Sequence, residues 1–380
     1  MAGQPQTNMM PVLPFVAAAH EHTEPMFDTS FVPGANAVNI GPYDVPAFGF
    51  LRHLTLFIEF SGGVLGAGVF HPDAPFNVLT DIQLADVNGG PIFGPMPGYE
   101  TFLTNLFGGY DFVSDPRLDP IYASGINAAF ILRIPVEISH HDGFGSIANQ
   151  NAAASYKLTM RGNNATGATG LFTTAPTTVP TVRVRGYLEA WTAPSAQDPA
   201  GRPQAVLPPR HGTTQYWSYT VKDASAGAVQ IQASRVGYII RNLIVVVRDT
   251  TANVKRVTDA NLPDPVELVW DQRSLFYEPV HVNRSRLARS QTRYSDIPAG
   301  ILGWQWDRLA SGHSGDGGPG LWIPTVQSTR LEIKTSALPA SAKIYILTND
   351  VAPVEVSPNE RYVQTSDTGF TPAAFVGGAA

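Results

Sequence analysis

Cysteine is absent from this chain of 380 residues. Its absence excludes a disulfide framework, a thiolate zinc site and a cysteine nucleophile, so stability must come from core burial and assembly. Charge is scarce as well, because Asp, Glu, Lys and Arg make up 15% of the residues, against about 25% in an ordinary soluble domain. A surface so poor in charge is expected to be covered in part by partner subunits.

Long apolar runs and a basic surplus are also missing. No stretch of about 18 apolar residues occurs, so no transmembrane helix is predicted. The opening MAGQPQTNMMPVLPF lacks the features of a signal peptide, and we expect the protein to be made and kept in a cytosol. The formal net charge of -6 argues against sequence-specific binding of nucleic acid.

Glycine and proline are abundant instead, at 35 and 32 residues. They interrupt helices and populate turns, so a helical bundle is disfavoured and many short strands are predicted. Apolar runs with partial alternation predict strands at 51–60, 77–84, 128–138, 155–160, 181–191, 215–221, 237–247, 266–270, 329–334 and 342–347. Helical spacing is clearest over Tyr99–Phe107, where apolar residues recur at intervals of three and four.

The two halves of the chain repeat one pattern at an offset near 185 residues. GFLRHL at Gly49 is echoed by GYIIRNL at Gly237, and Asp81–Leu84 is echoed by Pro265–Leu268. Each half continues with an aromatic-bearing strand and a helical piece, 99–107 in the first and 282–293 in the second. For the closing strands, the alignment pairs 130–138 with 329–334 and 156–160 with 342–347. Since this period far exceeds that of a solenoid, it indicates two domains of one fold.

Eight short strands per half predict an all-β protein of two tandem eight-stranded jelly rolls, with short helices and long loops. The predicted divisions are an N-terminal arm (1–35), a first roll (36–190), a linker or tower loop with the start of the second roll (191–234), a second roll (235–350) and a C-terminal arm (351–380).

The paired strands GFLRHLTLFIEF and GYIIRNLIVVVRD, together with PFNVLTDIQLADVNGGPIF and ILRIPVEISHHDGFGSIANQNAAASYKLTM, carry a resemblance to a known family. The chain resembles the double jelly-roll major capsid proteins of tailless, membrane-containing icosahedral viruses, the tectivirus and adenovirus lineage. The resemblance covers most of residues 40–350 and implies a structural protein of the virion, without enzymatic activity or cofactor. It further implies a pseudo-hexagonal homotrimeric capsomer, with neighbouring capsomers, penton or minor capsid proteins and an internal membrane as partners. The first 35 residues lack the amphipathic helix of several family members, which leaves contact of this arm with a membrane open.

Two alternatives come from other classes of protein. A carbohydrate-binding β-sandwich, such as a phage receptor-binding or cell-wall lectin, would use aromatic platforms, which tryptophans could supply at 191, 217, 270, 304, 306 and 322. A bicupin enzyme would need clustered His and Glu ligands on inward strands, and neither half shows a His-x-His on a strand.

No catalytic, metal-binding or cofactor-binding residue is predicted. His140-His141-Asp142 is a poor chelate, because adjacent strand residues point to opposite faces. His20-Glu21-His22 with Glu24 reads as part of a polar arm, and Ser311–Gly320 lacks the Lys-Ser/Thr of a phosphate-binding loop. No Gly-x-Ser-x-Gly elbow occurs.

One basic concentration stands out, formed by Arg284, Arg286, Arg289 and Arg293 with Arg273 nearby. Lipid head groups, encapsidated nucleic acid, acidic residues of a neighbouring subunit and plain solvent remain open as its surroundings. Of the partners we favour the neighbouring subunit, because the chain as a whole is acidic. The sequons at Asn164 and Asn283 carry little weight without an export signal.

Overall fold

The computed structural model describes residues 12–108, 126–138, 143–195, 197, 200–202, 205–206, 214–223, 227–231, 237–251, 253–288, 297–306, 322–325, 331–335, 338 and 341–352.

Eight strands and one helix form the first half of the fold. They are β1 (Glu21–Phe31), β2 (Val38–Asp44), β3 (Phe50–Ser61), β4 (Leu79–Ala85), β5 (Pro91–Met96), α1 (Gly98–Gly108), β6 (Ala128–Pro135), β7 (Lys157–Gly162) and β8 (Thr181–Trp191). One sheet has the order β1-β8-β3-β6 and the other β2-β7-β4-β5. Two four-stranded sheets with this crossed connectivity make a jelly roll.

The second half repeats this arrangement strand for strand. Its elements are β9 (Gln215–Asp223), β10 (Gly227–Ile231), β11 (Ile239–Asp249), β12 (Val266–Trp270), β13 (Arg273–Glu278), α2 (Val280–Ala288), β14 (Ile301–Gln305), β15 (Leu331–Thr335) and β16 (Ala342–Val351). The sheet orders are β9-β16-β11-β14 and β10-β15-β12-β13. Each strand of the second roll therefore occupies the place of the strand eight labels earlier, which confirms the predicted pair of tandem jelly rolls.

The predicted alignment of the halves is right for the opening strand and the hairpin, but wrong for the closing strands. By sheet position, β6 corresponds to β14, β7 to β15 and β8 to β16. The strand Ile301–Gln305 was not predicted from the sequence, because ILGWQ is short and follows Pro298 and Gly300. The loops of the second roll are also shorter, so the spacing between equivalent strand starts falls from 189 residues at β3/β11 to 161 at β8/β16.

Residues 21–31 were predicted to belong to the N-terminal arm (1–35), but they form strand β1 of the first roll. This strand pairs with β8 along its length, from Phe31 opposite Val182 to Glu21 opposite Trp191. Its segment EHTEPMFDTSF has no apolar run, because it is a sheet-edge strand whose side chains alternate between half-buried and exposed. By the same topology the second roll begins at β9, inside the segment predicted as linker and start of that roll.

The cores follow the alternation of the central strands. In β3, Leu54, Leu56, Ile58 and Phe60 point into the first roll and are at most 4% exposed. In β11 every residue from Ile239 to Arg248 is buried, as happens when both faces of a sheet are covered. One face of β11 packs on the core of the second roll, and the first roll covers the opposite face.

Short elements complete the described fold. They are the parallel pair Val12–Leu13 with Ala205–Val206, the helical turn Phe15–Ala18, the pair Val69–Phe70 with Phe172–Thr174, the 3-10 turns Phe76–Val78 and Asp259–Asn261, and the short strands Ile147–Ala148, Lys255–Arg256 and Ile323–Pro324. Among the described helices, none has the length and apolar character needed to cross a bilayer.

Candidate functional site

The two rolls meet edge to edge. Strand β5, at the end of one sheet of the first roll, runs parallel to β9 of the second, with Phe93 opposite Trp217. Trp217 is 1% exposed and donates its indole N–H to Gln215 Oε1 at 3.1 Å. Gln215 itself donates to the Glu137 carbonyl, and the Thr214 hydroxyl donates to the Val136 carbonyl at 2.8 Å. We call this contact region, with the residues described next, the inter-roll joint.

Helix α1 fills the inter-roll joint. Its residues from Gly98 to Phe107 are all buried, because it packs on its own roll and is covered by the second. Its apolar side chains share one core cluster with four side chains from one face of the second roll's sheet, which we call the covered face. These are Ile244, Val246, Ile301 and Leu347, each fully buried.

Buried charges cross the joint beside this helix. Arg248 of β11 donates to Asp73 and, at 2.7 Å, to Glu100 Oε1 of α1. Arg256 donates to Asp73 Oδ1 at 2.8 Å. The three side chains at the centre, Arg248, Asp73 and Glu100, are at most 5% exposed. Removing one partner from such a network leaves an uncompensated buried charge. The contact between the rolls therefore requires all of these charged side chains to be present.

The two carboxyls respond differently to sharing one guanidinium. Burial alone would raise the pKa of Asp73, but the charges of Arg248 and Arg256 together hold it below its ordinary value. Burial raises the pKa of Glu100, and the nearby Asp73 charge adds to this, while Arg248 offsets only part of it. Burial would lower the pKa of Arg248, but its two carboxylate partners raise it. The Arg248 guanidinium therefore stays charged, and of the two carboxyls Glu100 is the one that takes up a proton more readily.

Aromatic rings and a histidine close this cluster. Arg248 and Arg256 lie 5.4 and 4.8 Å from the ring centre of Tyr99, within the range of a cation–π contact. His71 accepts the Asp73 backbone N–H at Nδ1 (3.1 Å), so its Nε2 carries the proton and donates to the Asn253 carbonyl at 2.9 Å. That last bond again joins the first roll to the second.

The repeated arginines of GFLRHL and GYIIRNL play equivalent parts. Arg52 lies 4.2 Å from the Trp191 ring centre and pairs with Glu137 at 2.9 Å. Arg241 lies 5.1 Å from the Trp322 ring centre and donates to Asn349 Oδ1 at 3.1 Å. Both are buried. The motif that revealed the duplication is therefore structural.

The predicted basic cluster is only partly an exposed face. Arg284 is 5% exposed and is tied inside its own roll, to Asp259 at 2.9 Å and to the Ile297 carbonyl at 2.9 Å. Arg286 is exposed and pairs with Glu278 at 3.0 Å. The expectation of a neighbouring subunit is thus wrong for Arg284, because α2 turns that side chain inward. Arg289 and Arg293 lie outside the described residues.

Among the residues that the structure describes, the other candidates of the sequence do not gather into a site. Four of the six tryptophans, 191, 217, 304 and 322, are buried at 6% exposure or less, so no platform forms from them. Asn283 of the second sequon is fully buried. His22 stacks on Phe48 with ring centres 4.0 Å apart. His140, His141, Asp142 and Ser311–Gly320 lie outside the described residues.

No group of three or more His, Asp or Glu able to hold a metal occurs in the described part of the chain. The residues of the joint were missed by sequence reasoning. Glu100 within an apolar helix and Arg248 at the end of an apolar strand were signals of buried charge, but their partnership requires the fold.

Comparisons with known proteins bear on the fold. No family model and no curated protein sequence matches this chain. Among solved structures, the STIV MCP is 10% identical with a TM-score of 0.57, covering 92% of this chain and 99% of that one. The major capsid protein P2 from bacteriophage PM2 is 8% identical with a TM-score of 0.51, covering 89% and 99%. The PBCV-1 virus capsid chain is 11% identical with a TM-score of 0.51, covering 88% and 95%. At these identities the likeness establishes a shared fold, and it extends over nearly the whole of each chain.

Proposed function

We propose that this chain is the major capsid protein of an icosahedral virus and forms pseudo-hexagonal homotrimeric capsomers. The observation that carries the proposal is the pair of rolls with identical strand order, joined side by side in one chain. Its likeness to solved capsid proteins along nearly the whole chain supports the same role.

A shell built from such chains needs a unit that meets neighbours in several directions. Three copies with two similar rolls each provide six similar blocks around a threefold axis. Large permanent interfaces between copies carry few charged residues at their centres, which agrees with the 15% charged content. The function requires no catalysis, and we assign none.

The proposed location is the virion shell, after assembly in the host cytoplasm. Proposed partners are further copies of this chain, first within the trimer and then between capsomers. Penton or minor capsid proteins and an internal membrane are candidate partners at other faces. No sequence-specific nucleic-acid binding is proposed for a chain of net charge -6.

The buried tryptophans of the described residues weigh against the carbohydrate-binding alternative. A sugar platform needs exposed aromatic faces, whereas four tryptophans are used inside the cores or under buried arginines.

Negative-stain imaging of the purified protein tests the proposal. We expect particles of hexagonal outline with threefold symmetry, because each trimer would present six rolls. Particles of the size of a single chain at every protein concentration applied to the grid would contradict it.

A further inference from the structure

The two rolls differ in how much of one sheet face is covered. Within β11, Ile244 and Val246 lie three and five residues after Arg241, and they stand opposite Leu347 and Ile301. This is the covered face, which the first roll buries completely.

The first roll has the same face in the same register. Thr55 and Phe57 lie three and five residues after Arg52, and they stand opposite Tyr187 and Ile131. We call Phe57, Ile131 and Tyr187 the open face, while Thr55 beside them is 7% exposed. Ile131 is 38% exposed, whereas its counterpart Ile301 is fully buried. Phe57 and Tyr187 are half-buried.

The helices show the complementary difference. Asn105 of α1 brackets the backbone of Arg133, accepting its N–H and donating to its carbonyl, both at 2.7 Å. Asn283 of α2 brackets Gly303 in the same way, both at 3.1 Å. Arg133 stands opposite Thr55, and Gly303 stands opposite Ile244. Each helix is thus fastened at the same place on its own roll.

The outer sides of the two helices differ in burial. Helix α1 is buried from Gly98 to Phe107, because the second roll covers its outer side. Helix α2 buries Val280, Asn283, Arg284 and Leu287 against its own roll, and exposes His281, Val282, Ser285 and Arg286. Val282 is 42% exposed.

The tyrosine six residues before each of these asparagines repeats the contrast; Tyr99 lies in the first turn of α1, and Tyr277 lies in β13 just before α2. Tyr99 precedes Asn105 by six residues and is 1% exposed beneath Arg248 and Arg256. Tyr277 precedes Asn283 by six residues and is 70% exposed. Tyr277 just before α2 and Val282 within it are therefore both exposed.

We infer that the open face of one copy is occupied by α2 and Tyr277 of a second copy. This inference rests on the proposed function and names the surfaces that meet in the capsomer. The intermolecular contact repeats the inter-roll joint with the rolls exchanged. Within the chain, the first roll covers a sheet face of the second roll; between copies, the second roll of one copy covers the equivalent face of the first roll of the other.

Charged side chains lie at both contacts. Within the chain, the sheet contributes Arg248 and the helix contributes Glu100. At the open face the position of Arg248, seven residues after the repeated arginine, is taken by Glu59, which pairs with Arg185 at 2.6 Å. Helix α2 presents Arg286, which pairs with Glu278 at 3.0 Å. Glu59 and Arg286 keep 35% and 43% of their side chains exposed, so each can also take a partner from the other copy.

Cysteine cross-linking tests the inference, since the chain contains no cysteine of its own. The double variant Val282→Cys/Ile131→Cys is treated with a short bis-maleimide at micromolar protein concentration. We expect covalent dimers and trimers on a denaturing gel. Both substituted side chains are exposed, so circular dichroism should show an unchanged fold.

The matched control is Val282→Cys/Val38→Cys. Val38 is 40% exposed on β2, at the far end of the sheet from β5, and we expect only monomers from it under the same treatment. Light scattering on the same samples separates the two claims. Trimers that cross-link through Val38 but not through Ile131 would overturn the inferred contact and leave the proposed function standing. Protein that stays monomeric in light scattering would contradict the proposed function, and the contact with it.

Discussion

Arg248 lies at the centre of the charged network in the inter-roll joint, because its guanidinium is shared by Asp73 and Glu100. We predict that Arg248→Met lowers the free energy of unfolding by about 3–5 kcal/mol, since the buried carboxyl of Glu100 loses its cation and that of Asp73 keeps only Arg256. Denaturant-induced unfolding followed by tryptophan fluorescence measures the change.

The control for this substitution is Arg161→Met. Arg161 pairs with Asp81 at 3.4 Å, and both side chains are about half exposed. Such a pair contributes about 0–1 kcal/mol, because solvent screens it. Equal effects of the two substitutions would mean that the buried network does not stabilise the joint.

Glu100 gives the joint a predictable pH dependence. Burial raises its pKa above the ordinary 4.5, so the folded protein holds this proton more tightly than the unfolded chain. Stability therefore falls as pH rises above about 4.5, until Glu100 is ionised in both states. Asp73 has a lowered pKa and acts in the opposite direction, but only below its ordinary 3.8.

The test compares wild type with Glu100→Gln in denaturant unfolding from about pH 5 to 7.5. We predict that the stability of wild type relative to the variant declines across this range, because glutamine has no proton to lose. The lowered pKa of His71 affects both proteins and cancels in the difference. A relative stability that stays constant or rises with pH would contradict the assignment.

Each helix is attached to its own roll by one asparagine side chain, Asn105 in α1 and Asn283 in α2, which binds both backbone groups of a strand residue. Asn283 is fully buried and satisfies both backbone groups of Gly303. We predict that Asn283→Leu lowers the free energy of unfolding by about 1–3 kcal/mol, because a buried donor and acceptor lose their partners. Ser285→Ala, on the exposed side of the same helix, should change it by less than about 0.5 kcal/mol. A neutral Asn283→Leu in thermal or denaturant unfolding would show that the clamp is dispensable.

The strands were largely predictable, because apolar runs or apolar alternation mark β3, β8, β11, β12 and β16 within a few residues. Strand β1 was not, since an edge strand with one solvated face reads as polar. Strand β14 escaped because its five residues are too short to alternate visibly. The joint was beyond sequence reasoning, because Asp73, Glu100 and Arg248 are brought together only when two rolls pack edge to edge.

At the scale of the whole molecule, contacts within one chain account for only part of the low content of charged residues. The joint hides one face of the second roll within the chain, and the equivalent face of the first roll stays open, with Ile131 on it and Tyr277 exposed on the other roll. A chain built this way is complementary to itself. Three copies arranged in a ring would cover every open face, and the composition then matches a surface that is mostly interface.

Light scattering during size-exclusion chromatography at micromolar concentration measures whether the chain assembles into trimers. We predict a mass of three times the 40.8 kDa chain, or a larger assembly of such trimers. A single peak at 40.8 kDa that persists as the concentration is raised would contradict it.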